Sequence, residues 1–182
     1  MTLPNKLTVL RIVLIPLFIL FTLNSPVHSP VLALIVFAAA TVTDKLDGYL
    51  ARRHNQVTSF GNIMDPLADK LLVGTAYLTF LAQGRMSVIP IILIIAREYA
   101  VSSLRVVAMN EGKLMAAAFS GKIKTAVQMA VAVLLLLYPS QWMPGGAVVE
   151  TVLGWIAAAV TLWSGIDYFY ANRAIIHASV RK

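Results

Sequence analysis

Asp44 to Asp69 reads DKLDGYLARRHNQVTSFGNIMDPLAD, and it sets four aspartates into an otherwise greasy chain. Asp44 and Asp47 are three residues apart, and Asp65 and Asp69 are four apart. On helices both spacings place the two carboxylates on one face. Between the pairs lie Gly48, Ala51, Arg52, a polar turn and Gly61. Four carboxylates gathered near a membrane face repel one another, and each is costly to desolvate when unpaired. A divalent cation, or a pair of them, removes that repulsion. Hard oxygen ligands of this kind suit Mg²⁺, Mn²⁺ or Ca²⁺ rather than zinc.

The surroundings of this stretch are lipid-like. Of 182 residues, 59% are apolar and only 13% charged, where a soluble domain carries about 25%. The mean hydropathy is +0.79. The chain reads as a single all-α integral membrane domain over residues 1–182, with six transmembrane helices and a short N-terminal interfacial segment. It contains no cysteine, which excludes disulfides and thiolate metal sites. The first apolar run, flanked by Lys6 and Arg11, has no small-residue cleavage site after it and reads as a retained helix.

The expected spans are 7–23, 31 to about 54, 60 to about 82, 88 to about 109, a fifth with its core at 125–138, and 147 to about 171. Residues 1–6 form a polar lead at the interface. The runs are separated by NSPVHSP, by 55–59, by 83–87, by the polar stretch 110–124, and by the break 139–146. No internal repeat or low-complexity segment is visible.

Lysine and arginine set the orientation. The connections after spans one, three and five carry none, Arg85 and none, whereas the opposite side receives Lys6, Arg11, Arg52, Arg53, Lys113, Lys122, Lys124, Arg173, Arg181 and Lys182. The positive-inside rule puts that side, with both termini, in the cytoplasm of a cell whose inner membrane holds the chain. The second span descends towards that side and the third rises from it. At ~1.5 Å per residue the two aspartate pairs then lie at matching heights, roughly 10–15 Å from the helix ends. Adjacent antiparallel helices with a short turn pack side by side, so the four carboxylates meet in one cluster open to the cytoplasm.

A second group of charges lies further along. Arg97 and Arg105 are eight residues apart, about two turns, and read as sharing a face. Lys122 and Lys124 open the fifth span beside Ser120 and Gly121. Two readings stay open: Arg97 neutralised by its neighbour Glu98 with the lysines as a positive-inside flank, or all four cations forming an anion pocket on the aspartate side. A carboxylate–metal cluster beside a basic pocket suits transfer between two phosphate-bearing substrates. Gly48 suits either helix contact or close approach of a bulky ligand.

The pattern D-x-x-D-G-x-x-A-R, eight residues, then G-x-x-x-D-x-x-x-D resembles the signature of the CDP-alcohol phosphotransferases. It is carried by Asp44, Asp47, Gly48, Ala51, Arg52, Gly61, Asp65 and Asp69, with the spacer length kept. Eight fixed positions at background frequencies of ~5–8% make a chance match negligible. The stretches PNKLTVLRIVLIP, MDPLADKLL, IIAREYAVSSLR, GKIKTAVQ and WSGIDYF resemble bacterial family members that use a phosphorylated acceptor. That resemblance implies a homodimer that converts CDP-diacylglycerol and sn-glycerol 3-phosphate to phosphatidylglycerophosphate and CMP. It implies two divalent ions, Mg²⁺ or Mn²⁺, held by Asp44, Asp47 and Asp65, with Asp69 as general base that also touches a metal. Gly48, Ala51 and Gly61 are implied to make room for the cytidine, Arg52 to contact its phosphates, and Asn5 and Thr8 to cap the nucleotide site. Arg97, Arg105, Lys122 and Lys124 are the candidates for holding glycerol phosphate.

Two alternatives stand beside this reading. One is the same chemistry with phosphatidylglycerol or inositol phosphate as acceptor. The other is a cation transporter, but transporters hold such charges near the midplane and often show repeated halves. The orientation has a direct test, made clean by the absence of native cysteine. Cysteines placed at Asn55 and Lys113 should react with an impermeant reagent only from the cytoplasmic side, and one at Ser25 only from outside. The reverse pattern would overturn the topology.

Overall fold

The computed structural model describes the backbone of residues 3–24, 29–53, 59–110, 119–138, 144–173 and 176. Within those stretches, the side chains of residues 3–7, 44–53, 59–63, 65, 66 and 110 lie outside the description. The described residues form six helices and no strand: α1 (Leu3–Leu23), α2 (Pro30–Arg53), α3 (Ser59–Ala82), α4 (Val88–Asn110), α5 (Phe119–Leu137) and α6 (Gly146–Ala171).

The expected runs are recovered, with two displaced boundaries. α1 begins at Leu3, so most of the expected polar lead is helix. Pro4 there lies in the first turn, where its missing N–H costs nothing. α5 begins at Phe119, well before Thr125, because tertiary partners hold its polar first turns. Ser120 donates to Asp167 Oδ2 at 2.5 Å, and Lys124 pairs with Glu98. α3 runs through Pro66 from a start at Ser59, so that proline lies beyond the first turn.

The helices form two triplets. α1 packs closely on α2 and α3; α6 packs closely on α4 and α5. The triplets join through α2 with α5 and through α3 with α4 and α5. In the first triplet the Phe18 and Phe37 rings meet at 5.9 Å between centroids. Ala33, Ala40 and Ala76 are fully buried, and such small residues let helix backbones approach. Between the triplets, the Tyr77 hydroxyl donates to the Gln128 carbonyl oxygen at 3.2 Å; within the second triplet, Gln128 Nε2 donates to Thr161 Oγ1 at 2.8 Å.

The distribution of polarity is inverted relative to a water-soluble protein. Val31, Ile35, Val148 and Ile166 face outward, the last two 66% and 71% exposed. Arg11, Arg97, Lys124, Gln128, Glu150 and Ser164 are buried inside. Lipid tolerates the former and penalises exposure of the latter, so this is a membrane protein. Among the described residues, α5 and α6 are each long and apolar enough to cross a bilayer. Thr8–Leu23 and Pro30–Thr43 are shorter apolar stretches. α3 and α4 carry charges along part of their length, which lowers their hydropathy below that of a simple span.

The turn between α3 and α4 is closed by Gly84 at φ 70°, a left-handed conformation that favours glycine, with Arg85 N–H donating to the Phe80 carbonyl. Gln83 Nε2 reaches the Thr22 carbonyl at 2.7 Å and ties this turn to the end of α1. Arg85 is drawn inward from the same turn. Its guanidinium meets Glu150 Oε1 at 2.6 Å and the Leu135 carbonyl at 2.5 Å, 5.2 Å over the Phe80 ring. Arg85, the one cation in the connections on its side of the expected topology, is therefore neutralised by Glu150 of α6. Arg85→Ala should cost about 3–5 kcal/mol, because it strips a buried carboxylate of its ion pair. The Arg85→Ala/Glu150→Ala double variant should lose clearly less than the sum of the two single changes, read as thermal unfolding in detergent. Strict additivity would show that the two groups do not act as a pair.

Candidate active site between the helix triplets

The signature aspartates lie towards the connected ends of α2 and α3. Asp47 and Asp44 are six and nine residues before the end of α2 at Arg53. Asp65 and Asp69 are six and ten residues after the start of α3 at Ser59. At ~1.5 Å per residue the pairs lie roughly 9–15 Å in from the connected helix ends, at matching heights. The side chains of Asp44, Asp47, Gly48, Ala51, Arg52, Gly61 and Asp65 lie outside the described residues, as does that of Asn5. Thr8 is fully buried on α1, which packs against both signature helices.

Asp69 is described. It is half-buried and lines a cavity of about 410 Å³ bounded by α3, α4 and α5. One part of the cavity wall is polar, made by Asp69, Lys70, Glu98, Ser102, Lys124 and Gln128. The rest is apolar, with Leu71, Leu78, Ile94 and Ile95 among its residues. The cavity thus joins the last signature carboxylate, from the first triplet, to charges of the second.

Those charges form a knot around Glu98. Its Oε1 accepts from Arg97 Nη1 at 3.1 Å and from Lys124 Nζ. Arg97 Nη2 donates to Ser164 Oγ on α6 at 2.8 Å. The Arg97 stem lies against Gly165, where an added Cβ would come within 2.9 Å of Arg97 Cγ. Lys70 donates to Ser102 Oγ, which in turn donates to the Glu98 carbonyl at 2.6 Å.

Of the four expected cations, Arg97 and Lys124 meet at Glu98, so the neutralising partner read from the sequence is real and is shared by two cations. Lys122 and Arg105 are exposed. Arg105 stands 5.9 Å from the Tyr168 ring instead of beside Arg97. Eight residues turn a helix roughly 80° past two full turns, which is enough to take Arg105 off the buried face. Lys122 is two residues from Lys124, roughly 200° around the helix, and so points the other way.

Lys70, Ser102 and Ser164 were not singled out from the sequence. Lys70 directly follows Asp69, and Ser102 lies four residues after Glu98 on the same face, so spacing offered a signal for both. Ser164 on α6 had none, because its role depends on how α6 packs on α4.

The family described as CDP-alcohol phosphatidyltransferase matches residues 1–163, and the chain belongs to that family. It is 41% identical over 171 residues to the CDP-diacylglycerol–glycerol-3-phosphate 3-phosphatidyltransferase of Rickettsia bellii (strain RML369-C), covering 93% of this chain and 94% of that protein. It is 40% identical over 175 residues to the protein of the same name from Escherichia coli (strain K12), covering 94% of each.

The knot makes two glycines of α6 unequal. At Gly154 an added Cβ would come within 2.7 Å of Met86 Cε, the far end of a flexible side chain. At Gly165 it would meet the stem of an arginine fixed at its head by Glu98 and Ser164. Gly154→Ala should therefore be neutral or stabilising, since alanine is the better helix former by ~1 kcal/mol. Gly165→Ala should destabilise by ~1–3 kcal/mol, as overpacking does. Thermal unfolding of the two variants side by side checks this, and equal effects would contradict the fixed Arg97.

Proposed function

We propose that this protein transfers the phosphatidyl group of CDP-diacylglycerol to sn-glycerol 3-phosphate, giving phosphatidylglycerophosphate and CMP. One observation carries the reading: Asp69, the last carboxylate of the signature, lines the same cavity as Lys124. A molecule bearing both a hydroxyl and a phosphate fits between them, its hydroxyl at the base and its phosphate at the cation. The relatives' names and the near-complete coverage of both chains support the same reaction.

The donor set suits a divalent metal. Four carboxylates and no cysteine offer hard oxygen ligands, and their spacing along α2 and α3 supports a shared site. Asp44, Asp47 and Asp65 would hold one or two ions, Mg²⁺ or Mn²⁺, with Asp69 at the edge of that group. When bound, such ions neutralise the pyrophosphate and polarise the phosphorus under attack. Asp69 takes the proton from the glycerol hydroxyl onto a carboxylate oxygen as that hydroxyl attacks. The phosphoanhydride bond breaks and CMP departs. Arg52 contacts the nucleotide phosphates; Gly48, Ala51 and Gly61 leave room for the cytidine, with Asn5 and Thr8 at its edge. Arg97 and Lys124 hold the acceptor's phosphate, and the exposed Arg105 and Lys122 draw it in from the aqueous face.

In this reading all six helices cross the inner membrane as one domain. The termini and the site face the cytoplasm, and two copies pair as a homodimer. The lipid tails of the donor stay in the bilayer.

The purified protein should release CMP from CDP-diacylglycerol when given sn-glycerol 3-phosphate, and not with phosphatidylglycerol or inositol phosphate. Chelation should abolish the release. Asp44→Asn, Asp47→Asn and Asp65→Asn should each lose at least ~100-fold, the scale on which removal of transition-state charge stabilisation is felt. Lys124→Gln should lower kcat/KM for glycerol phosphate roughly 10- to 150-fold, as expected for one charge-assisted contact, with donor binding little changed. Arg52→Gln should show the opposite bias. Full turnover in chelator would refute the metal reading, and CMP release with another acceptor alone would reassign the substrate.

A further inference from the structure

We propose that the Glu98 carboxylate is an internal counter-anion that holds the place of the acceptor's phosphate and yields it only to a dianion, which makes Glu98 a specificity-determining residue. The inference rests on the acceptor site proposed above.

A single oxygen of Glu98 touches two cations from two helices, Arg97 of α4 and Lys124 of α5. That is the arrangement a phosphate oxygen adopts between an arginine and a lysine. Arg97 cannot withdraw: its second nitrogen is held by Ser164 and its stem by Gly165. Lys124 is buried where α5 meets the cavity. Glu98 is more open, its side chain 16% exposed, and it lines the cavity by which an acceptor arrives.

The exchange follows from charge. One carboxylate balances one of the two cations it touches. A phosphate monoester carries close to two negative charges at neutral pH and offers three oxygens, so it can satisfy both cations when Glu98 swings away. A phosphodiester carries one charge and gains nothing over the carboxylate it must displace. A neutral polyol gains less still. Discrimination here comes from a competitor built into the site, which penalises weaker anions more than the right one.

The test uses the full-length protein in detergent, with inorganic phosphate as probe, followed by calorimetry and by competition against glycerol phosphate turnover. Glu98→Gln should bind inorganic phosphate at least roughly tenfold more tightly and lower the KM for glycerol phosphate, about the loss of one charge-assisted competitor. Its preference for glycerol phosphate over a phosphodiester alcohol should narrow. CDP-diacylglycerol binding serves as the check that the variant is folded. If Glu98→Gln is unstable, Glu98→Asp, too short to reach both cations, should shift phosphate affinity in the same direction. Weaker or unchanged phosphate binding in a folded variant would overturn the proposal and leave Glu98 a positioning residue for Lys124. Unchanged glycerol phosphate KM in Lys124→Gln would instead remove the acceptor site on which the proposal stands.

Discussion

A charge inside hydrocarbon must find a partner inside the protein, and the arrangement of these helices follows from that constraint. Arg97, Lys124 and Arg85 are each largely buried, and each is met by a carboxylate: Glu98 for the first two and Glu150 for the third. Apolar contact cannot order helices in a membrane as it does in water, because lipid tails are as apolar as leucine. The polar contacts therefore decide which helices are neighbours. Glu98 joins α4 to α5, Ser164 joins α6 to α4, and Glu150 joins α6 to the turn before α4. Small residues then let the backbones close up around those contacts.

The same polar contacts create the site. The first triplet carries the signature aspartates and little other charge that is described. The second carries the cationic knot. Neither half alone brings a signature carboxylate and the cationic knot to one cavity. The cavity between α3, α4 and α5 does so by placing Asp69 and Lys124 on one wall system. Leu71, Leu78, Ile94 and Ile95 supply apolar wall to the same cavity. The far end of the bundle, with Gln83 on Thr22 and Arg85 on Glu150, is closed by polar clasps that have no part in the site.

Much was legible from the chain alone. Hydropathy runs located six helices, because a segment of this composition has no alternative to the helix in lipid. The aspartate spacing led to the expectation of two level pairs, since rise per residue is a constant of the helix and the turn between them is short. Family membership was also written there, in eight positions that no packing argument requires. What the tertiary structure decided was which charges belong together. Arg97 and Arg105, or Lys122 and Lys124, look equivalent as neighbours along a sequence, yet one of each pair is buried and the other exposed. The difference is a matter of helix rotation, and rotation is set by what the neighbouring helix presents. Ser164 and Gly165 admit the Arg97 side chain against α6; Glu98 receives Lys124 from α5. Those partners lie 26 to 68 residues away, so no local pattern could have named them.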